Sequence, residues 1–260
     1  MNPAEPRASA GYTRTVTTRP MPDSRGWFIS LEGPEGSGKT SQAEALRARL
    51  AAGGSSVTLT REPGGTSIGE RVRAILLGHA APGDAGGGPA PRADALLFNA
   101  ARAQLVAEVI GPALARGDIV VCARFADSTL AYQGYGAGLP REGLQTLERF
   151  ATDGLRPDLT LLLDVPPEVG LARKKGDEVT RFEAGFDLAF HRRVRDGFLA
   201  LAADEPARFA VIDATGSFDM VHDRVAAAVA DRLPSLAAVL GRPHVGAGDE
   251  PAPIALRIPR

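Results

Sequence analysis

WFISLEGPEGSGKT, residues 27–40, decides how the rest of the chain is read. Its apolar start, 27–31, predicts a buried strand. The run breaks at Gly33, Pro34, Glu35, Gly36, Ser37 and Gly38 into a turn that ends in Lys39 and Thr40 and opens a helix. This is the phosphate-loop pattern G-x-x-x-x-G-K-[ST]. A backbone that wraps a phosphate points several N–H groups inward, with torsions that residues lacking Cβ reach at least steric cost. The helix behind adds the positive end of its dipole. Lys39 then reaches the terminal phosphates of a nucleotide, and Thr40 offers its hydroxyl to a magnesium ion.

Outward from this stretch, strands and helices alternate. Ala43, Leu46 and Leu50 recur at helical spacing before Gly53 and Gly54. A second strand, 57–60, runs into the turn-rich TREPGGT, 60–66, at the strand end where open parallel sheets place ligands. Ile68, Val72, Ile75 and Leu76 mark one face of the next helix, and a Gly/Pro-rich insertion follows over 78–91. A long helix is expected over 93–116, kinked at Pro112, with Phe98 and Arg102 on one face. The β-branched run 119–122 predicts a strand buried on both faces, ending in ARFADSTLAYQGYG, 123–136. Strands are also expected over 159–163 and 209–213, and a final helix over 220–233. Phe186, Phe190, Val194 and Phe198 repeat every four residues and read as core packing of another helix. The expected fold class is therefore α/β, a doubly wound five-stranded parallel sheet flanked by helices, of the phosphate-loop NTPase kind.

Bulk composition bounds the function. The 260 residues suit one α/β domain, here 26–234, between a flexible tail over 1–25 and a second over 235–260. Thirty Lys and Arg against 31 Asp and Glu leave a formal charge of -1, so no extended nucleic-acid footprint is implied. The single cysteine, Cys122, excludes an internal disulfide and a Cys-based zinc cluster, which fits a reducing cytoplasm. No apolar run approaches the roughly 18 to 20 residues that span a bilayer, and 1–25 lacks the apolar core of a signal peptide.

Taken together, LEGPEGSGKT, TREPGGT, LLFNAARAQ, the arginine-bearing strand end, DSTLAYQGYG and a charged segment ending in RFE resemble the thymidylate kinases, over residues 27–233. That resemblance implies a nucleoside monophosphate kinase moving the γ-phosphoryl of ATP to dTMP with Mg2+, toward dTTP synthesis, and a homodimer. It implies ATP contacts from Gly33 through Lys39, Thr40 and Ser41, with Thr40 on the metal. For dTMP it implies thymine stacking on Phe98 and a hydrogen bond from Arg102. Thr129 and Gln133 would complete the base site, and Tyr132 would pack against the deoxyribose. Arg124 matches the arginine that grips the acceptor phosphate, Arg73 lines the same pocket, and Glu35 lies near the acceptor's sugar. Glu62 and Pro63 shape the loop beside it, with an unusual backbone at Pro63. The phosphate loop carries no cation besides Lys39, so the catalytic cation is expected from a lid over 173–183, as in the bacterial type. Arg173, Lys174, Lys175 and Arg181 are its candidates, and Arg181 is chosen because it belongs to RFE.

One position departs from the pattern. Family members ordinarily carry Asp-Arg-aromatic at this strand end, and here the stretch reads Ala123-Arg124-Phe125. A carboxylate there can hold magnesium-bound water and orient the attacking group; alanine can do neither. The alanine is an engineered change, a natural one compensated by Glu35, Asp127 or Asp164, or the mark of a protein that binds nucleotides without turnover. A related kinase acting on another nucleotide or nucleoside is the remaining alternative.

Overall fold

Alternation along β1 (Phe28–Glu32) sets the layers. Ile29 and Leu31 point to one face of the sheet, where they join Leu46 and Leu50 of α1 (Lys39–Ala52) in one buried cluster. Phe28 points to the other face, where its ring meets Phe125 edge-on at 4.9 Å. Buried Ser30 shares that face and is satisfied by the Thr160 hydroxyl at 3.0 Å. With both faces covered, the strand needs no polar alternation. The computed structural model describes residues 25–78, 88–174 and 186–241.

β2 (Val57–Arg61), β3 (Ile119–Ala123), β4 (Leu159–Asp164) and β5 (Phe209–Asp213) complete a parallel sheet in the order β2-β3-β1-β4-β5, as the alternation of strands and helices predicts. The chain leaves β1 toward β2 and β3 and returns across it to β4 and β5. Ligands of such sheets bind outside the strand carboxyl ends at this reversal.

α2 (Ser67–Leu77) starts at a Thr66 cap, whose side chain accepts from the Gly69 N–H. α3 (Pro91–Leu105) begins two residues before its expected start, with Pro91 in the first turn, where the missing N–H is not needed. The kink expected at Pro112 takes another form. The ladder widens to π spacing over Val106–Ile110, and Pro112 then falls in the first turn of α4 (Gly111–Ala115), where it breaks no bond.

α5 (Ala126–Thr129) passes into a second π stretch, Leu130–Gly136, followed by α6 (Arg141–Thr152). α7 (Pro167–Arg173) leads toward the charged segment, of which 175–183 lies outside the described residues, as does 79–87 of the Gly/Pro-rich insertion. α8 (Leu188–Asp204) buries Phe190, Val194 and Phe198, with Phe186 stacked on Phe190 at 4.0 Å, which is the core stripe read from the sequence. α9 (Phe218–Arg232) is capped by Ser217.

The tail expected over 235–260 needs a correction at its start. Leu236 and Leu240 are buried against α1 through a 3-10 turn and α10 (Ala237–Leu240), and Arg49 donates to the Leu240 carbonyl at 2.7 Å. Residues 1–24 and 242–260 lie outside the described residues.

Candidate active site

The turn between β1 and α1 can exist only with glycine at two places. Gly33 has φ 145° and a Cβ there would sit 2.4 Å from the Leu163 carbonyl; Gly36 has φ 69° and its Cβ would sit 1.8 Å from the Gly170 carbonyl on α7. The loop is thus pressed backbone to backbone on its neighbours. α1 carries no acidic residue in its first turn, so its positive end faces the cleft uncancelled.

Lys39 folds back onto this loop. Its Nζ donates to the Gly33 carbonyl (3.0 Å), the Pro34 carbonyl (2.7 Å) and Ser37 Oγ (3.2 Å). Burial and then the charge of Arg124 push its pKa down to about 7, against the pull of Glu35 and Glu32. A phosphate dianion in the cleft would add counter-charge to that of Glu35 and Glu32 and favour the ammonium form.

Arg124 ends β3 in the left-handed region, φ 71°, a conformation that costs a non-glycine residue roughly 1–2 kcal/mol. Its N–H is held by the Leu31 carbonyl at 2.9 Å, and the bend turns its side chain over the phosphate loop. The guanidinium donates to Glu35 Oε1 (2.7 Å), Tyr132 Oη (3.1 Å), Ser128 Oγ (3.1 Å) and the Gly33 carbonyl (3.3 Å). Tyr132 in turn donates to Glu35 at 2.7 Å. Burial alone would raise the Glu35 pKa, but Arg124, Lys39 and the Tyr132 hydroxyl outweigh it and hold the carboxyl down to about 2. Glu35 is a fixed anion beside a fixed cation.

A cleft of about 840 Å³ opens over these groups. At one end it is lined by Phe98, Leu77, Thr129, Tyr132 and Gln133, and beside them by Arg61, Arg73 and Arg124. Arg73 donates to the carbonyl of Pro63 at 2.9 Å, and the Glu62–Pro63 bond is cis, the unusual backbone expected there. In the middle lie Glu35, Gly36, Ser37, Gly38, Lys39, Thr40 and Ser41; Gly33 and Pro34 stand behind and receive Lys39. At the far end lie Arg173, Lys174, Ala214, Gly216, Phe218 and Val221. Arg181 and Lys175 lie outside the described residues.

Arg102 is drawn in behind this wall. Only 1 % exposed, it holds Glu62 through Nε (2.9 Å) and Nη2 (2.8 Å), Asn99 through Nη1 (3.0 Å), and the Phe125 carbonyl and Thr129 Oγ1 through Nη2 (3.1 Å each). Glu62 and Thr129 line the cleft and Arg102 does not. One Nη1 hydrogen stays beyond these bonds, so any reading of a base by Arg102 passes through that atom or through Thr129.

Ala123 lines the cleft, 6 % exposed, paired with Leu31 on one side and Arg61 on the other. Of the three carboxylates weighed as its compensation, Asp127 is clasped by Arg208 at 2.6 and 2.8 Å and Asp164 by Arg195 at 2.7 and 2.8 Å, and neither reaches the cleft. Glu35 does. Among the described residues no group of three or more His, Cys, Asp or Glu could hold a metal ion by itself. A magnesium ion on nucleotide phosphates needs little from protein beyond one hydroxyl, and the exposed Thr40 on the cleft wall fits that demand.

Sequence reasoning did not single out Arg61, Ser128, Gln42 or Phe218, all on the cleft wall, nor Glu32 beneath it. Glu32 is fully buried and accepts from the Phe125 N–H (2.7 Å) and Ser128 Oγ (2.6 Å); burial, then Asp127, pushes its pKa up to about 7. The one local signal for it is a carboxylate closing a strand in which Ser30 is the only other polar residue.

The sequence model described as thymidylate kinase matches residues 31–225. The chain belongs to the thymidylate kinase family. It is 51 % identical over 210 residues to the thymidylate kinase of Deinococcus radiodurans, covering 80 % of this chain and 98 % of that protein. Against the thymidylate kinase of Thermomicrobium roseum the identity is 52 % over 207 residues, covering 79 % and 95 %. Its fold is similar to the crystal structure of thymidylate kinase from Ehrlichia chaffeensis, with a TM-score of 0.64, 34 % identity, and 79 % of this chain and 99 % of that chain covered. No helix among the described residues is long and apolar enough to cross a membrane.

Proposed function

We propose that this chain transfers the γ-phosphoryl group of ATP to dTMP, giving dTDP and ADP, in the cytoplasm and toward dTTP synthesis. The observation that carries the reading is one continuous cleft in which the phosphate loop lies between an aromatic, amide-lined end and an open cationic end. dTMP takes the first end, with its base on Phe98 beside Thr129 and Gln133, its sugar against Tyr132 and its phosphate on Arg124 and Arg73. ATP takes the other, its phosphates over residues 33–41 and Lys39.

An oxygen of the dTMP phosphate attacks the γ-phosphorus while ADP leaves in line. Little covalent chemistry falls to the protein; it aligns the two phosphates and neutralises their charge. Arg124 turns the acceptor oxygen toward the loop, and Glu35 holds Arg124 and Tyr132 at a fixed distance from each other. Mg2+, held through Thr40, would neutralise charge on the β- and γ-phosphates. We assign the lid cation to Arg181, with Arg173 and Lys174 at the root of the lid, over residues 173–183.

The test is ADP formation from ATP and Mg2+ with a panel of acceptors. dTMP is expected to exceed dUMP in kcat/KM about tenfold, since one methyl group in an apolar pocket is worth about 1–3 kcal/mol. Thymidine and dCMP should be poorer still. A preference for thymidine, or equal use of dCMP, would overturn the assignment of the acceptor. We also propose a homodimer: Ile68 and Ile75 on α2, Leu96 on α3 and Phe150 on α6, the last 88 % exposed, leave large apolar groups in water on neighbouring helices. Sedimentation should give twice the chain mass, and a monomer at micromolar concentration would remove this part of the reading.

A further inference from the structure

Helix α5 spans four residues and runs directly into the π stretch Leu130–Gly136, whose Leu130, Ala131 and Tyr132 pack with Phe190, Val194 and Phe198 of α8. That packing holds the far end of the run; α5 itself carries Ser128, which bonds Arg124 and Glu32, and Thr129, which bonds Arg102. The near end has a tie of its own outside the cleft.

Asp127, 3 % exposed, supplies the tie. Both its oxygens are taken by Arg208, at 2.6 and 2.8 Å, from a position 81 residues away that directly precedes β5. Arg208 Nη1 also donates to Thr160 Oγ1 (2.8 Å), and its Nε and Nη2 are held by Glu205 (3.0 and 3.1 Å). Its own carbonyl accepts from the Thr160 N–H at 2.8 Å, so the guanidinium is registered to β4 by backbone and by side chain. Thr160 then meets Ser30 on β1 at 3.0 Å. Asp127, Thr160 and Ser30 are buried, Arg208 and Glu205 only partly so, and Glu205 is also held by Arg156 at 2.6 Å, so that each charge of the set has its partner. None of Arg208, Asp127, Thr160 and Ser30 lines the cleft.

We infer that Arg208 is a positioning residue for the acceptor site, which through its paired bonds to Asp127 fixes α5, and with it the placement of Arg124 and Thr129, against β4 and β1. Arg124 lies three residues before Asp127 and Thr129 two after it, so a displacement of α5 moves the acceptor-phosphate fork and the base wall together. The phosphate loop, carried on β1 and α1, meets this unit through single side-chain bonds, Arg124 to Gly33 and Glu35 and Ser128 to Glu32, and so shifts less. The effect therefore falls mainly on one substrate, which a merely stabilising ion pair would not produce. This inference rests on dTMP occupying the Phe98 end of the cleft.

The experiment measures dissociation constants for dTMP and for ATP by calorimetry on Arg208→Met, Arg208→Lys and Asp127→Asn, with thermal melting of each. Arg208→Met is expected to weaken dTMP about tenfold or more, because small displacements of a binding fork are costly, and to leave ATP within about twofold. Arg208→Lys, which keeps the charge and one of the two bonds, should recover part of the dTMP affinity. Asp127→Asn leaves Arg208 its Glu205 partner and removes the buried anion, so it keeps the question answerable where Arg208→Met does not fold. The same dTMP-selective loss, smaller, is expected of it. Equal weakening of both ligands, or a lowered melting temperature with dTMP affinity unchanged, overturns the inference. The unaltered chain measured alongside separates the assignments: failure of that chain to bind dTMP sinks the acceptor reading and this inference with it, whereas normal binding there confines any failure to Arg208.

Discussion

Ala123→Asp is expected to raise dTMP turnover about a hundredfold, the scale on which single electrostatic catalytic groups act, with the dTMP dissociation constant changed by less than about threefold. The reason lies in what the cleft holds. Among the described residues the carboxylates on its wall are Glu35, committed to Arg124 and Tyr132, and Glu62, committed to Arg102. Asp127 and Asp164 are occupied elsewhere by arginines. An aspartate at position 123 would enter a cleft where Lys39 and Arg124 outnumber the free anions, so its charge would be welcome. It would face the phosphates rather than the base, which is why binding of dTMP should barely respond. Side-by-side assay of ADP release by the two chains, at saturating ATP and Mg2+, decides the matter. Equal rates would mean that Glu35 already does this work, and Glu35→Gln in the Ala123 chain would then abolish turnover.

Arg124→Ala is expected to cost on the order of a thousandfold in kcat/KM for dTMP, because on the proposed reading it would remove a paired, charge-assisted contact to a dianion, and it frees Glu35 and Tyr132 together. Stability should move differently. With φ at 71°, alanine at this position keeps the backbone strain and glycine releases it. Arg124→Gly should therefore be more stable than Arg124→Ala by about 1 kcal/mol while binding dTMP no better. Urea unfolding of the pair, with dTMP titrations, reads both effects. An alanine variant as stable as the glycine variant would show that the strained backbone is not what this arginine imposes on the fold.

The phosphate loop was legible because a backbone demand is written in glycine: φ 145° at Gly33 and the close approach at Gly36 admit little else. The sheet was legible because strands buried on both faces leave continuous apolar runs, as at 119–122. Helical spacing put Phe98 on one face with Arg102, the family resemblance put it in the site, and it lines the cleft. Arg102 shares its helix but not its exposure, since the groups that draw it inward, Glu62, Phe125 and Thr129, come from other elements. The Arg208–Asp127 pair joins positions 81 apart with no pattern between them, and no local reading could reach it. At Pro112 the defect was visible in the sequence, but its remedy, a π turn upstream, depends on how much room α3 has. The packed turn at Leu236 and Leu240 was missed, because two apolar side chains just before a Pro- and Gly-rich end give too short a pattern to separate from a tail.

The contact of Gly36 with Gly170 has a mechanical side. At this contact no side chain separates the phosphate loop from α7: a Cβ on Gly36 would meet the Gly170 carbonyl, and a Cβ on Gly170 would meet the Glu35 carbonyl at 2.1 Å. Main chain against main chain has no rotamer with which to absorb a displacement. α7 runs straight into Arg173 and Lys174, and Arg173 is itself bonded to the Ala214 carbonyl at 2.9 Å. A displacement of the loop would therefore be handed on with little loss to Arg173 and Lys174, which on the proposed reading stand at the root of the lid.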